Sequence, residues 1–171
     1  GKVEFADGRY GFVSCKYYTK PKYSGLKYCL LATKNAGLTW DTISFTPAGR
    51  FFYMAFADSL RGIAFHIDEC YKKSMVKTAD GGRTWSMMDE LQGHVGNPHL
   101  MPSGFGCLGD GDELFFTSDY GETWDSIPSP LRYIRAIQFL NREIGFISDG
   151  YEDVGILKTV DGGISWDTIS K

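Results

Sequence analysis

The sequence predicts an all-β protein built from four repeats, each containing four short antiparallel strands. Three observations support this. Glycine (21 of 171 residues) and aromatic residues (15%) are abundant, a composition that favours strands joined by tight turns. Four tryptophans lie 45, 39 and 42 residues apart, and each one ends the same octet. Apolar runs recur before and after every octet, which indicates strands at the same places in each repeat.

The octets follow the pattern T-x-[DN]-x-G-x-[TS]-W without exception. Four matches in register make this a strong repeat signal, whereas a single match would be weak. The constrained positions are Thr33, Asn35, Gly37 and Trp40; Thr78, Asp80, Gly82 and Trp85; Thr117, Asp119, Gly121 and Trp124; and Thr159, Asp161, Gly163 and Trp166.

The strands of a repeat are called a to d. Strand a ends near a Phe that lies six residues before a Gly, as in Phe5 and Gly11, and strand b follows that Gly. Strand c precedes the octet, and strand d follows its Trp. The repeats are predicted at 1–43, 44–88, 89–127 and 128–171, together forming one domain. Residues 131–140 fit a helix on periodicity alone, but their alignment with the other repeats predicts strand a.

Each octet is predicted to form the turn between strands c and d. Its Asp or Asn accepts backbone N–H groups ahead in the turn, as Asx turns do. Its Gly supplies a positive φ, and its Trp packs into the sheet interface, largely buried. The alternative is that these carboxylates are catalytic or bind metal. It is disfavoured because the four equivalent copies lie on successive hairpins and point outward to four separate places.

The octets resemble Asp-boxes, also called bacterial neuraminidase repeats, which occur in β-propellers. The longer unit around residues 109–116, running into its octet, is most similar to photosystem II assembly factor-like propellers. The resemblance covers essentially the whole chain and implies a β-propeller-type array of four four-stranded antiparallel blades around an axis. The same superfamily includes sialidases, xyloglucan hydrolases and sortilin-type receptors, so the fold leaves the function open.

Propellers of this family generally have more than four blades. Three arrangements therefore remain: a four-bladed ring, a segment of a larger propeller, or a partial ring completed by further blades or another chain. We expect a segment or a partial ring, because exposed blade faces are a liability unless something covers them.

Charge and motifs exclude several functions. A net charge of −3 is too mild for a polybasic nucleic-acid binder, no apolar run is long enough for a membrane span, and no leader-like segment is present. No phosphate-binding loop or dinucleotide motif occurs. His66, His94 and His99 lack metal-ligand spacing, and the acidic run at 109–113 is explained as well by a tight turn as by calcium. No cofactor, metal ligand or catalytic residue is predicted.

A non-catalytic binding or scaffolding domain, recognising a protein or a glycan, is the preferred function. The alternative is a glycoside hydrolase, sialidase-like or of another Asp-box type, or a fragment of one. Arginines are plentiful, but the Arg-Ile-Pro motif that precedes the first blade of sialidases is absent. Loop carboxylates are present, yet the sequence does not give the separation that a glycosidase pair requires.

Cys15 and Cys29 lie near the facing ends of strands b and c in the first repeat. They fit a disulfide across the hairpin equally as well as two free thiols at partly buried strand positions. The cysteine pattern is compatible with an exported protein, so we expect an extracellular, periplasmic or cell-surface location.

The b–c loop of the first repeat is the candidate binding surface. Lysines alternate with tyrosines there, which suits anionic glycans or an acidic protein surface. Lys72 and Lys73 of the second repeat extend this basic surface, while the corresponding loops of the third and fourth repeats are acidic. A solvated ribbon whose tyrosines cover only its own strands is the alternative. The candidate residues are Tyr17, Tyr18, Lys20, Lys22, Tyr23 and Lys27.

Overall fold

A computed structural model describes residues 3–18, 26–43, 49–90, 96–149 and 155–170. Sixteen strands and no helices occur in these ranges. The strands form four antiparallel sheets of four, each with its strands in chain order. The predicted fold class is therefore confirmed, and each sheet is called a blade below.

The strand bounds follow the repeat. Blade 1 contains β1 (Val3–Phe5), β2 (Gly11–Tyr18), β3 (Leu26–Thr33) and β4 (Asp41–Ile43). Blade 2 contains β5 (Arg50–Phe56), β6 (Gly62–Ile67), β7 (Lys73–Thr78) and β8 (Ser86–Glu90). Blade 3 contains β9 (His99–Leu100), β10 (Gly106–Asp110), β11 (Glu113–Thr117) and β12 (Asp125–Pro128). Blade 4 contains β13 (Ile134–Phe139), β14 (Gly145–Asp149), β15 (Ile156–Thr159) and β16 (Asp167–Ser170).

Two segments with ambiguous sequence signals follow the repeat pattern. The stretch 131–140 contains strand β13, not a helix. Strand a of blade 3 is only two residues long, His99–Leu100, and prolines at 98 and 102 flank it. Proline has no N–H for the strand ladder, so it shortens the strand without removing it.

The chain divides into two compact units, Gly1–Glu90 and Leu91–Lys171, each containing two blades. Each unit has its own apolar core. In the first unit the rings of Phe12 and Phe56 stack with their centroids 3.6 Å apart, so the two blades of that unit meet through buried aromatic faces.

The same repeat positions build both cores. Within each unit, the face of the first blade that packs against the second blade is called its forward face. The face of the second blade that packs against the first blade is called its backward face. Forward-face residues in the cores are Phe12, Leu30 and Ile43 of blade 1, and Cys107, Leu114 and Ile127 of blade 3. Backward-face residues are Met54, Phe56, Ala64 and Val76 of blade 2, and Ile137, Phe139, Ile147 and Leu157 of blade 4.

Cys15 and Cys29 are directly opposite each other in the β2–β3 ladder and form a disulfide. Their Cα atoms are 5.3 Å apart, and 14 positions separate them in sequence. Of the other two cysteines, Cys70 is exposed and Cys107 is buried. The disulfide therefore cross-links the two strands of the β2–β3 ribbon.

We expect the Cys15→Ser/Cys29→Ser variant to lose about 3 kcal/mol of unfolding free energy, because opening the cross-link restores loop entropy to the unfolded chain. Urea denaturation of the variant and the parent measures the difference. Cys70→Ser is the control and should leave the midpoint unchanged. Equal stability of the double variant and the parent would contradict a stabilising disulfide.

Candidate functional site

The octet turns occupy one end of each blade, and hydrogen bonds within each turn satisfy their polar groups. In blade 2 the Thr78 hydroxyl donates to Asp80 Oδ1 at 2.9 Å and accepts the Gly82 N–H at 2.9 Å. Asp80 also accepts the backbone N–H and the hydroxyl of Thr84, at 2.9 and 2.6 Å. The Trp85 indole N–H donates to the Gly82 carbonyl at 3.0 Å. One carboxylate thus holds the whole turn.

Blade 1 shows that the charge is not needed for this geometry. Asn35 Oδ1 accepts the Thr33 hydroxyl and the Thr39 N–H, both at 2.9 Å. Its Nδ2 donates to the Thr39 hydroxyl at 2.9 Å. The amide therefore makes the contacts that a carboxylate makes in the other blades, with one donor direction reversed.

The donors around the octet carboxylates lower their pKa values. Hydrogen bonds from the Thr123 N–H and hydroxyl, and then from Thr117, bring the pKa of Asp119 to about 2. The hydroxyl and N–H of Ser165, followed by Thr159, do the same for the pKa of Asp161. A carboxylate saturated with donors stays ionised at neutral pH and is poorly suited to act as a general acid. The octets are turn-forming elements.

The octet tryptophans are partly exposed, but most of the surface of each is buried, in line with the expectation. Trp85 and Trp166 lie at the margin of the cores of their units. Trp166 meets Phe139 edge to face with centroids 6.2 Å apart, and Trp40 meets Phe5 in the same way at 6.2 Å. Each indole lies at the octet end of its blade.

Backbone hydrogen bonds link each octet turn to the a–b turn beside it. These bonds run from the N–H groups of Ala36, Gly81, Tyr120 and Gly162 to the carbonyls of Arg9, Leu60, Gly104 and Glu143, at 2.8 to 3.0 Å. Asp7, Asp58 and Asn141 close their a–b turns through further side-chain bonds to backbone N–H groups. This end of the blades is therefore structural.

The opposite ends, where strands b and c meet, carry exposed side chains. In blade 2 the β6–β7 loop is held by Asp68, whose Oδ1 accepts the N–H groups of Cys70 and Lys72 at 2.8 and 2.9 Å. Tyr71 has φ +65° and is 80% exposed. A left-handed conformation costs a non-glycine residue roughly 1–2 kcal/mol. The loop thus holds an aromatic ring in solvent at an energetic cost, and Lys72 and Lys73 beside it are also exposed.

Three of the candidate binding residues of blade 1, Tyr17, Tyr18 and Lys27, lie on the β2–β3 ribbon. Lys16 and Tyr17 are exposed on β2, and Tyr17 is paired with Lys27 on β3. Tyr18 is the last residue of β2 and is paired with Leu26. Lys20, Lys22 and Tyr23 lie outside the described residues. The ribbon therefore leads toward the same blade end as the Tyr71 loop.

Blade 3 has a tight turn at this end. Asp110 pairs with Glu113, and Gly111 between them has φ +61°, so the acidic run is accounted for by a two-residue hairpin turn. Within the described ranges, no group of three or more His, Cys, Asp and Glu side chains is placed to hold a metal ion. His66 is buried against Phe51, His99 lies on β9, and His94 lies outside the described residues.

Solved structures identify the architecture. A structure of YCF48 bound to D1 peptide matches 97% of the chain and 51% of its own chain, at 18% identity and TM-score 0.64. YCF48 from Cyanidioschyzon merolae matches 99% of the chain and 55% of its own, at 16% identity and TM-score 0.61. A GH74 enzyme from Niastella koreensis matches 70% of the chain and 22% of its own, at 16% identity and TM-score 0.57.

These likenesses establish a β-propeller-type fold and leave the family and activity open. The chain spans about half the length of the YCF48 chains it matches. No protein-family model matches the sequence, and no curated protein matches it either. The described residues include no helix that is long and apolar enough to cross a membrane.

Sequence reasoning placed the basic surface at the b–c ends but did not identify Tyr71. Nothing in the residue pattern predicts positive φ at a tyrosine, since turns of this kind usually carry Gly or Asn there. The available signal was Asp68, a good Asx-turn former, placed three residues earlier.

Lowered pKa values make the octets acid-sensitive. The pKa of Asp119 and Asp161 falls from 3.8 to about 2 on folding, so their stabilisation is complete above about pH 4 and is lost between about pH 4 and pH 2. The variant carrying Asp80→Asn, Asp119→Asn and Asp161→Asn, which copies the amide of blade 1, should flatten this acid limb. Thermal midpoints measured from pH 7 to pH 2 provide the test, and an unchanged acid limb in the variant would contradict it.

Proposed function

We propose that the chain is a non-catalytic binding domain that recognises an acidic segment of a partner protein. Its binding surface consists of the β6–β7 loop and the β2–β3 ribbon. The observation that carries the proposal is Tyr71, whose aromatic ring is exposed and whose backbone the loop holds in a left-handed conformation. Backbone strain of this kind persists only where the surroundings impose it. Ala36 and Tyr120 show it within the octet turns, whereas Tyr71 shows it at the exposed b–c end.

An exposed aromatic side chain on an ordered backbone is well suited to binding. Tyrosine offers a large contact area with few rotatable bonds, and it is enriched among residues that dominate binding energy. Because Asp68 and the backbone bonds already order the loop, little conformational entropy remains to be lost on association. Tyr71 is therefore the anchor of the proposed surface.

The positive charge of the first unit favours an acidic partner. Lys16, Lys72 and Lys73 are exposed at the b–c ends of the first unit. The first unit contains thirteen Lys and Arg against nine Asp and Glu, a net charge of +4. Such a surface attracts acidic segments and speeds their association at low ionic strength.

Two further observations support a binding role in an exported protein. One of the similar structures is YCF48 bound to D1 peptide, so a propeller of similar fold binds a peptide. The Cys15–Cys29 disulfide is typical of oxidising compartments, which supports an extracellular, periplasmic or cell-surface location. The chain is also similar in fold to a GH74 enzyme, so glycoside hydrolysis is the alternative function.

A labelled ten-residue peptide of alternating Glu and Pro tests the surface, because it is acidic, extended and offers proline rings to tyrosine. By fluorescence anisotropy at low salt we expect Tyr71→Ala to weaken binding about 30-fold, as loss of a roughly 2 kcal/mol anchor would. Tyr71→Phe should bind nearly as the parent does. Lys72→Glu/Lys73→Glu should abolish binding.

Lys34→Glu is the matched control, since Lys34 is exposed at the octet end of blade 1, and it should bind normally. Unchanged binding by Tyr71→Ala, or binding of a heparin oligosaccharide but not of the peptide, would overturn the proposal. Turnover of fluorogenic sialosides or aryl glycosides would favour the hydrolase instead.

A further inference from the structure

Two blade faces are partly exposed, although the repeat gives them the residues of a core. In blade 2 the backward face is buried against blade 1, and Met54, Phe56, Ala64 and Val76 are at most 3% exposed. The forward face of blade 1 meets it with Phe12 and Leu30, which are 2% and 0% exposed. These values show what a covered face looks like in this protein.

The backward face of blade 1 has the same design and is uncovered. Counting from the strand-b glycine and the octet threonine, Val3, Phe5, Val13 and Leu31 are the equivalents of the four blade 2 residues. Val3 is 55% exposed and Phe5 is 45% exposed, while Val13 and Leu31 are partly exposed.

The surroundings of the octet glycines also differ between blade 2, whose backward face is covered, and blade 1, whose backward face is exposed. A Cβ on Gly82 of blade 2 would lie 2.5 Å from Leu30 of blade 1, so this turn is pressed against the preceding blade. A Cβ on Gly37 of blade 1 would have its nearest neighbours, at 3.6 to 3.9 Å, in Trp40 and Phe5 of its own blade. Among the described residues, nothing plays the part of Leu30 for blade 1.

The forward face of blade 4 is the complementary surface. Phe146, Ile156 and Ile169 are the equivalents of Phe12, Leu30 and Ile43 in blade 1. Ile156 is 41% exposed and Ile169 is 53% exposed, and Phe146 is partly exposed. Blade 4 therefore presents the half of a blade interface that blade 1 lacks.

We infer that the backward face of blade 1 binds the forward face of blade 4 in a second copy of this chain. Phe146 of one copy would stack on Phe5 of the other, as Phe12 stacks on Phe56 within the first unit at 3.6 Å. The contact is heterologous, joining two different surfaces, and it is independent of the proposed peptide site.

Charge favours a second copy as the occupant. The unit that contains blade 1 has a net charge of +4, whereas the unit that contains blade 4 has five Lys and Arg against twelve Asp and Glu, a net −7. Joining blade 1 of one copy to blade 4 of another brings two oppositely charged units together, which favours head-to-tail association over contact between like units.

Heterologous contacts either close into a ring or extend into a filament. β-Propellers typically contain four to eight blades, and two chains of four blades supply eight, a number within this range.

Sedimentation velocity over a concentration series tests the association. We expect a dimer that is weakened by added salt, and Val3→Glu or Ile156→Glu should raise its dissociation constant at least about tenfold. Both side chains are half-exposed, so both variants should fold, which an unchanged thermal midpoint at low concentration verifies. Ile164→Glu is the matched control, because Ile164 is exposed on an octet turn away from both faces, and it should dimerise normally.

Cross-linking tests which faces meet. In a Cys70→Ser background, a short bis-maleimide should join Val3→Cys protein to Ile156→Cys protein in a mixture, and neither variant to itself. Self-cross-linking of the Val3→Cys protein alone would overturn the head-to-tail contact. A chain that stays monomeric at every concentration would overturn the second copy as the occupant, and a blade from another polypeptide would then fit the face.

Discussion

Each blade is a thin sheet with two apolar faces, and neither face can be buried inside the blade itself. The fold therefore depends on contact between successive blades. In the first unit this contact consists of two close approaches between blades 1 and 2. Phe12 stacks on Phe56 with 3.6 Å between ring centroids, and Leu30 lies against the Gly82 position. The second unit repeats it with Phe116 and Ile127 near the Gly163 position.

The octets make this contact reproducible. A Thr hydroxyl, an Asp or Asn side chain and a Trp indole fix the c–d turn through hydrogen bonds that close within eight residues. Because the turn satisfies its own polar groups, its backbone can lie against the preceding blade without an unpaired donor, which would cost about 1–3 kcal/mol when buried. The same saturation makes these carboxylates poorly suited to act as general acids. Tyr71 projects at the opposite blade ends.

The sequence predicts the local and repeated features well. Strand order, the octet turns and the strand at 134–139 follow from spacing, because hairpin register and turn geometry are determined by nearby residues. The disulfide stayed one of two alternatives, since the sequence places Cys15 and Cys29 in facing strands but does not show that they are directly opposite. The repeat predicts the burial of the octet tryptophans, but it does not reveal that part of each indole stays exposed. Tyr71 was missed because its positive φ arises in the folded loop that Asp68 holds, and the residue pattern does not reveal this conformation.

The dependence on contact between blades is tested most directly by comparing two glycines with equal backbone strain. Gly37 and Gly82 both have φ +84°, but only at Gly82 would a Cβ meet the preceding blade, at Leu30. Each Gly→Ala substitution should cost roughly 1–2 kcal/mol for the left-handed conformation. Gly82→Ala should cost about 1–3 kcal/mol more because it overpacks a buried interface. Equal losses of unfolding free energy in the two variants, measured by urea denaturation, would contradict the account.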